Sequence, residues 1–420
     1  MPREKLGKML SWLDDAESVH SWVVSTAMHL RRGGPLLNTA APVEEPIKVP
    51  LLDLGLQNQP LADDLKAAFA RVLDSSQFIL GTELARFEER VAESVGVRHA
   101  IGVSSGTDAL LLSLMTLGIG PGDEVLCPSF TFFATAGAIA RTSATPVFVD
   151  SLDADFGIDP ADAERRVTDK TKAIIPVHLF GQSVDMDSVQ RLAKSHDLAV
   201  LEDAAQSMGA THGVRQVGTM GDLGAFSFFP SKNLGGFGDG GMITTDDDAL
   251  AKRARILRVH GGSPKYYHKA IGGNFRMDPL QSALLGVKLD YLSDYLGKRR
   301  ANALRYLERL AQCEHVSEGR LMLPAEIDGR GHTWNQFTLR VADGRRDALL
   351  AHLAENNIGS AIYYPVPLHR QECFAHLTSF GESLPVCEKM AREVLSIPVY
   401  PELSGAQLDH VTQTLASAPL

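Results

Sequence analysis

The chain has 420 residues, of which 44% are hydrophobic and 22% are charged, and its formal net charge is -10. This composition is typical of a globular protein, and the length predicts two domains or one large domain with an appendage. Because the charges of both signs are mixed along the chain, they disfavour a nucleic-acid-binding surface, and no apolar run is long enough to span a membrane.

The N-terminal segment and the cysteines predict a cytoplasmic protein. MPREKLGKMLSWLDDAESVHSWVVSTAMHLRRGG begins with basic residues, but acidic residues interrupt it and no apolar core with a cleavage site follows, so we expect no signal peptide. The absence of any CxxC motif predicts reduced thiols and no metal site. The four widely separated cysteines are Cys127, Cys313, Cys373 and Cys387.

The apolar pattern divides the chain into three parts. Residues 1–48 combine a helical pattern with the linker-like GGPLLNTAAPVEEP, and they predict an extension to which we assign no role. Residues 49–300 alternate helical patterns with short apolar runs, which predicts a large domain with a mostly parallel sheet. Residues 301–420 predict a smaller α+β domain, with a strand in HTWNQFTLRV, a helix in RRDALLAHLAENN, and a helix leading into a Pro-rich turn in AREVLSIPVY.

Two segments show the helical pattern and the short apolar runs clearly. In TELARFEERVAESVG, apolar residues recur along one face of a helix, at Leu84, Phe87, Val91 and Val95. The segment AIGVSSGTDALLLSLMTLG predicts a strand, a loop and a helix. The other predicted strands of the large domain are DEVLCPSF, ATPVFVD, KAIIPVHLFG, LAVLEDAA and AFSFFP.

Lys232 lies in SFFPSKNLGGFGDGGMITT (227–245), after aromatic residues and before five glycines in seven residues. Fixing a glycine costs conformational entropy, so the run predicts that the backbone passes close to a bound group. The alternative is a loop that carries a solvated lysine.

Candidate binding groups follow the predicted strands, where open α/β sheets bind their ligands. In SSGT (104–107), Gly106 and Thr107 leave backbone N–H groups and a helix N-terminus free to face a phosphate, although a plain helix cap is the alternative. Ser227 precedes Lys232 by five residues, and its hydroxyl can bond the same phosphate. Phe132, in PSFTFFAT, offers a flat face to a ring, or else belongs to the core.

Asp203 ends the predicted strand LAVLED, and Gln206 follows three residues later. A buried carboxylate needs a partner, and a protonated ring nitrogen would provide one, whereas the alternative is a cap for the next helix. With Lys232 as a Schiff-base lysine and a nearby anion cradle, these residues predict a site for pyridoxal phosphate.

At these residues the chain resembles the nucleotide-sugar aminotransferases of the DegT/StrS group, which are fold type I pyridoxal phosphate enzymes. The resemblance runs from about residue 50 to the C-terminus. The motifs that carry it are SSGTDALLLSL, PSFTFFATAGAI, PVHLFGQ, LEDAAQSMGA, AFSFFPSKNLGGFGDGGMITT, GGNFRMDPLQSALLGVKL, HTWNQFTLRV and YYPVPLH.

The resemblance implies roles for the residues that bind the cofactor. Lys232 forms the Schiff base and moves the proton, Asp203 pairs with the pyridine nitrogen, and Gln206 bonds the ring hydroxyl. Phe132 stacks on the ring. The residues implied to bind its phosphate are Gly106, Thr107 and Ser227.

The resemblance also implies a substrate and an assembly. Asn274, in GGNFRM, is expected to reach the cofactor phosphate of a neighbouring subunit, which implies a homodimer with shared sites. Arg276 is expected near the sugar or the carboxylate of the amino donor. Tyr364 and His369 are looser candidates for the substrate wall, with packing and capping as their alternatives. The expected reaction moves an amino group from an amino acid, L-glutamate by expectation, to a keto-sugar carried on a nucleotide.

Three other functions compete with this one. A pyridoxal-dependent sugar dehydratase has the same fold, but such relatives carry histidine at the lysine position, so Lys232 counts against it. A non-catalytic regulator would have no need of an intact Lys232, Asp203 and Ser227. A nicotinamide oxidoreductase is disfavoured because GFGDGG follows the lysine instead of opening a βαβ unit.

Overall fold

The computed structural model of the protein describes residues 46–377 and 381–420. Residues Pro46–Leu420 form one compact unit. The predicted division at residue 300 stays a prediction, and the predicted extension lies outside the described residues except for residues 46–48. Among the helices that are described, none is both long enough and apolar enough to cross a membrane.

A seven-stranded sheet forms the centre of the fold, with the strand order β1-β9-β8-β5-β4-β2-β3. Neighbouring strands are parallel except at β9, which runs antiparallel to both β1 and β8. The predicted mostly parallel sheet is confirmed. Its strands are β1 (His99–Val103), β2 (Glu124–Pro128), β3 (Thr145–Val149), β4 (Thr171–Ile174), β5 (Ala199–Asp203), β8 (Leu223–Ser227) and β9 (Gly241–Thr245), and a two-stranded hairpin of β6 (Thr211–His212) and β7 (Arg215–Gln216) lies between β5 and β8 in the chain.

Helices cover both faces of this sheet, because strands that are apolar on both sides must be buried on both sides. One apolar core includes residues of α4, α5, α8 and α13, and another includes residues of α3, α7 and α9. The helices of this part of the chain are α1 (Leu54–Asn58), α2 (Ala62–Ser75), α3 (Thr82–Val95), α4 (Gly106–Leu117), α5 (Ala134–Arg141), α6 (Pro160–Arg166), α7 (Met186–His196), α8 (Asp248–Leu257), α9 (Pro279–Leu289) and α10 (Leu292–Leu310), and α13 (Pro385–Glu393) comes later.

Helix α3 shows how the sequence pattern becomes packing. Leu84, Phe87, Val91 and Val95 are all buried on the face that the spacing predicts. Phe87 packs edge to face against Phe228, with 5.5 Å between the ring centroids. The helix ends at Gly96, whose φ of 87° is the left-handed conformation that glycine adopts without steric cost.

The C-terminal part contains an antiparallel sheet of β10 (Leu321–Met322), β11 (Phe337–Val341) and β12 (Val394–Ile397). Helices α12 (Arg346–Glu355) and α14 (Gly405–Ala416) contribute to its core, as α10 does, and the short α11 (Glu314–Ser317) precedes β10. The strand predicted in HTWNQFTLRV and the helix predicted in RRDALLAHLAENN are confirmed as β11 and α12.

One sequence-based prediction in this region is wrong. AREVLSIPVY was predicted to be helical up to its Pro-rich turn, but the helix stops at Glu393 and residues 394–397 form β12. Val394, Leu395 and Ile397 are buried against β11, and Val394 and Ile397 are β-branched residues that favour a strand.

Candidate active site

The carboxyl ends of β1, β5 and β8 lie at the same edge of the central sheet, since β1 and β8 are both antiparallel to β9 and β5 is parallel to β8. Ser104 follows β1, Asp203 is the last residue of β5, and Ser227 is the last residue of β8. The topology therefore brings Ser104 to the same edge as Ser227, which lies 123 positions later in the chain.

The N-terminus of α4 forms a cradle at this edge. Ser105 caps the helix by accepting a hydrogen bond from the Asp108 amide at 3.0 Å. Gly106 is the first helical residue, and a Cβ placed on it would lie only 2.7 Å from Cβ of Ser227. Thr107 follows in the first turn and is half-buried. The predicted phosphate-binding residues thus meet at a helix N-terminus, which favours anions.

Asp203 is buried beside this cradle. Its carboxylate accepts a hydrogen bond from the Thr135 hydroxyl at 2.8 Å and from the Ala205 amide at 3.2 Å. Burial raises the pKa of Asp203 above its ordinary value, although Thr135, Ala205 and the charge of Lys232 act in the opposite direction. A further cation against this carboxylate would stabilise its charged form, and a protonated pyridine nitrogen is such a cation.

Lys232 is half-buried in the turn that follows β8, where its amide donates to the Phe229 carbonyl at 2.8 Å. Burial lowers the pKa of its amine to about 8, while the charge of Asp203 acts to raise it. At that pKa roughly a tenth of the amine is neutral at pH 7, which makes it a competent nucleophile toward an aldehyde.

Two of the glycines after Lys232 lie in close contact with the protein's own backbone. A Cβ on Gly235 would lie 2.1 Å from the Pro230 carbonyl oxygen, and one on Gly241 would lie 2.4 Å from the Ser105 carbonyl oxygen. The protein's own backbone therefore requires these two glycines, and the close approach of the glycine run to a bound group stays a prediction. Gly241 still serves the site, because it allows β9 to approach the N-terminus of α4.

Gln206 and Phe132 both contact Tyr364. The Gln206 amide accepts from the Phe180 amide at 2.7 Å and donates to the Tyr364 hydroxyl at 3.0 Å. Phe132 is 53% exposed, so it does not belong to the core, and its ring centroid lies 5.9 Å from that of Tyr364. An open aromatic face fits the predicted stacking on a ring.

The segment with Asn274 and Arg276 runs beside the end of β1. Arg276 forms an antiparallel β-bridge with Val103. The carbonyl of Phe275, which lies between Asn274 and Arg276 in the chain, accepts a hydrogen bond from the Ser104 amide at 3.0 Å. Asn274 is exposed. Within the described part of the chain, the Arg276 guanidinium has no hydrogen bond or ion pair, and its Nε is buried without a partner. This cation is therefore available to an anionic ligand.

His369 lies away from any solvent-exposed surface. Its Nδ1 is 2.6 Å from the Ser129 hydroxyl, its Nε2 is 3.3 Å from Glu388, and the residue is fully buried. Its predicted place in the substrate wall stays a prediction, and its hydrogen-bond contacts to Ser129 and Glu388 give the imidazole a structural role in the buried interior. Tyr364, in contrast, touches Gln206.

Sequence reasoning missed two features of the site. Thr135 comes from α5 and could be found only through its contact with Asp203. The second is a fully buried pair in which His178 Nε2 lies 2.9 Å from Glu202 Oε2. Burial alone would raise the pKa of Glu202, but hydrogen bonds from His178 and from backbone amides hold it below its ordinary value. The sequence signal that could have indicated this pair is Glu202, a charged residue directly before Asp203 in the apolar run LAVLED.

Three side chains of the kinds that bind metal ions lie together elsewhere in the fold: Asp185, Asp187 and His212, whose possible ligand atoms are within 4.8 Å of one another. Asp185 caps α7 through Ser188, and Asp187 contacts His212 at 3.3 Å. These contacts account for the grouping, and we assign no metal to it.

The chain is similar to proteins of one family over most of its length. The model of the DegT/DnrJ/EryC1/StrS aminotransferase family matches residues 60–416. A "pleiotropic regulatory protein" of Geobacillus stearothermophilus is 46% identical over 370 residues, which cover 88% of this chain and 98% of the relative. A UDP-N-acetyl-3-dehydro-alpha-D-glucosamine 3-aminotransferase of Acidithiobacillus ferrooxidans is 43% identical and covers 87% of this chain and 97% of its own.

A solved structure extends the similarity to the fold. The crystal structure of S. venezuelae DesV in complex with a ketimine intermediate has 42% sequence identity and a TM-score of 0.84, and it covers 88% of this chain and 98% of its own. The predicted fold type I α/β architecture is confirmed by this match.

Proposed function

We propose, since this chain belongs to the DegT/DnrJ/EryC1/StrS aminotransferase family, that it transfers an amino group from an amino acid to a keto-sugar carried on a nucleotide. The cofactor of the proposed reaction is pyridoxal 5'-phosphate. By analogy with the A. ferrooxidans relative, whose name specifies a 3-dehydro sugar, the keto group lies at carbon 3 and the nucleotide is UDP or a similar carrier.

The observation that carries the proposal is that Asp203 ends β5, Lys232 lies in the turn after the neighbouring β8, and the charges of the two groups interact. Burial raises the pKa of the carboxyl group and lowers that of the amine to about 8, so both groups are shifted toward their neutral forms. Two groups with shifted pKa values at the ligand-binding edge of a sheet are typical of a catalytic site.

The other residues of the edge fit the same cofactor. The α4 N-terminus, with Gly106, Thr107 and Ser227, would hold its phosphate, and Phe132 would cover its ring. When bound, the cofactor supplies an electron sink for the carbon that loses or gains a proton. Asp203 would keep the ring nitrogen protonated, which maintains that sink. Lys232 Nζ would hold the cofactor covalently and, once free, accept and return the proton.

Arg276 supports the substrate part of the proposal. Its guanidinium has no partner among the described residues, and it lies next to the end of β1. Arginine binds carboxylates and phosphates through two parallel hydrogen bonds, so it would recognise the carboxylate of an amino donor such as L-glutamate or the diphosphate of the nucleotide.

The proposal also includes the oligomeric state of the protein and its location in the cell. Asn274 is exposed beside the cradle, where it could contact a second copy of the chain, and the resemblance to the family supports a cytoplasmic homodimer with shared sites. The proposed partners are small molecules and a second copy, without nucleic acid or membrane.

A non-catalytic regulator is the second candidate, because the G. stearothermophilus relative is named as a regulatory protein. A regulator does not need an amine with a lowered pKa beside a buried carboxylate, and this chain has both. The sugar dehydratase is disfavoured because Lys232 is present where such enzymes carry histidine.

The test is to incubate the purified protein with L-glutamate and a panel of nucleotide keto-sugars, including one with the keto group at carbon 3. Mass spectrometry would follow the amino-sugar and 2-oxoglutarate, and the dehydratase would instead give a product that has lost water. Binding of pyridoxal phosphate without amino-sugar from any member of the panel would favour the regulator.

A further inference from the structure

The side-chain amide of Gln206 is held at both ends. Oε1 accepts a hydrogen bond from the Phe180 amide at 2.7 Å, and Nε2 donates to the Tyr364 hydroxyl at 3.0 Å. A backbone amide can only donate, so Oε1 must be the atom that faces Phe180, and the opposite orientation of the amide would set two donors against each other. The second hydrogen on Nε2 has no acceptor in residues 46–377 and 381–420.

Tyr364 is fixed by aromatic packing and remains neutral. Its ring centroid lies 6.4 Å from that of Phe130 and 5.9 Å from that of Phe132. Burial raises the pKa of its hydroxyl well above the ordinary value, although the Gln206 hydrogen bond acts to lower it. The hydroxyl therefore stays protonated at neutral pH, and its contact with Gln206 is as a hydrogen-bond acceptor.

We propose that Tyr364 is a positioning residue, whose hydroxyl holds Gln206 so that the free hydrogen on Nε2 is directed to the ring oxygen of the bound cofactor. This inference rests on the proposed pyridoxal phosphate site. A residue of the substrate wall would contact only the substrate, whereas Tyr364 in this role changes the electronic state of the cofactor through Gln206.

The effect has a definite sign. In the cofactor-loaded protein, the nitrogen of Lys232 would share its proton with the ring oxygen. If that nitrogen lost the proton, the oxygen would lose its internal partner, and a hydrogen bond from Gln206 Nε2 would then stabilise the anionic oxygen. Gln206 should therefore lower the pKa of the linked nitrogen. Removing the Tyr364 hydroxyl leaves Gln206 less well oriented, so this pKa should rise.

The test is a pH titration of the visible absorption of the cofactor-loaded protein. Tyr364→Phe keeps the ring that packs against Phe130 and Phe132, and it should raise the measured pKa by about half a unit to one unit, the size expected for one hydrogen bond. Gln206→Ala should raise it by at least as much. In the double variant the Tyr364 substitution should add nothing further, because it acts through Gln206.

Tyr363→Phe is the matched control. In the described residues the Tyr363 hydroxyl makes no hydrogen bond, and its ring lies next to that of Tyr364, so this variant should titrate like the wild type. As a second readout, the affinity of the apo-protein for pyridoxamine phosphate should fall a few-fold in Tyr364→Phe but not in Tyr363→Phe.

Two results would overturn the inference: an unchanged titration in Tyr364→Phe, or an equal shift from Tyr364→Phe whether or not Gln206 is present. A wild-type protein that takes up no pyridoxal phosphate would instead contradict the proposed function, and this inference with it. The wild-type spectrum thus separates the two failures.

Discussion

Gly106 and Ser227 touch across the edge of the sheet, so closely that a Cβ on Gly106 would lie 2.7 Å from Cβ and 3.0 Å from Oγ of Ser227. Gly106 opens α4 after β1, and Ser227 ends β8, with β9 between the two strands. Their contact joins the helix N-terminus to the strand that leads to Lys232. A larger side chain at position 106 should therefore weaken anion binding at the α4 N-terminus more than it destabilises the sheet.

Gly106→Ala is the first prediction. The added methyl group must displace Ser227, and overpacking of this kind costs about 1–3 kcal/mol. We expect the affinity of the apo-protein for pyridoxal phosphate to fall about tenfold or more, measured by fluorescence titration. Gly120→Ala is the control, since a Cβ there meets nothing within 4 Å. Equal affinities in the two variants would contradict the proposal that Gly106 and Ser227 help to hold the cofactor phosphate.

Glu202→Gln tests the buried pair behind the site. Glu202 accepts hydrogen bonds from His178 and from the amides of Gly218, Met220 and Gly221. A glutamine would place an NH₂ group against one of these donors, so the free energy of unfolding should fall by about 3–5 kcal/mol. The measurement is denaturant unfolding, with the exposed Glu355→Gln as the control.

The same pair predicts a pH dependence. The pKa of Glu202 is lower in the folded protein than in the unfolded chain. Its contribution to stability is therefore present above the unfolded value and is lost as the pH falls through the folded value. The difference in stability between the wild type and Glu202→Gln should shrink on acidification below about pH 4.5. A difference that stays constant down to the acid transition would rule out this account.

Asp203→Asn separates catalysis from folding. Burial raises the pKa of Asp203, so the charged carboxylate does not stabilise the fold strongly, and asparagine can still accept from Thr135. We expect the apo-protein to unfold at a similar or higher temperature. The kcat for transamination should fall about a hundredfold or more, because nothing then keeps the cofactor nitrogen protonated. An unchanged kcat would mean that another acid holds that nitrogen.

The sequence predicted the strand-end positions of the candidate residues better than their contacts. Asp203 and Ser227 could be predicted because strand ends are visible as apolar runs that stop at a polar residue. Thr135 could not, because its bond to Asp203 joins residues 68 positions apart on different elements. Likewise, Gly235 is required by the carbonyl of Pro230, and no local pattern distinguishes that cause from a bound group.

A mixing experiment tests whether sites are shared between subunits. If Asn274 contacts the cofactor of a second copy, a Lys232→Ala chain still offers a sound Asn274, and a chain with a disruptive Asn274 substitution still offers a sound Lys232. A mixed dimer then has one intact site, so activity should return to about half the wild-type value per dimer. The two chains would be co-expressed with different tags and the doubly tagged species assayed. No recovery above the parent variants would contradict sharing, provided that the Asn274 variant alone is impaired.

The most direct test of the central claim, that Lys232 holds the cofactor at this edge of the sheet, is to map the covalent attachment. The protein would be loaded with pyridoxal phosphate, reduced with sodium borohydride, digested and analysed by mass spectrometry, with Lys232→Ala and the exposed Lys252→Ala treated in parallel. We expect the reduced cofactor on Lys232 in the wild type and in Lys252→Ala, loss of the visible band on reduction, and no label in Lys232→Ala. A label on another lysine, or none on Lys232 in a protein that binds the cofactor, would contradict the claim.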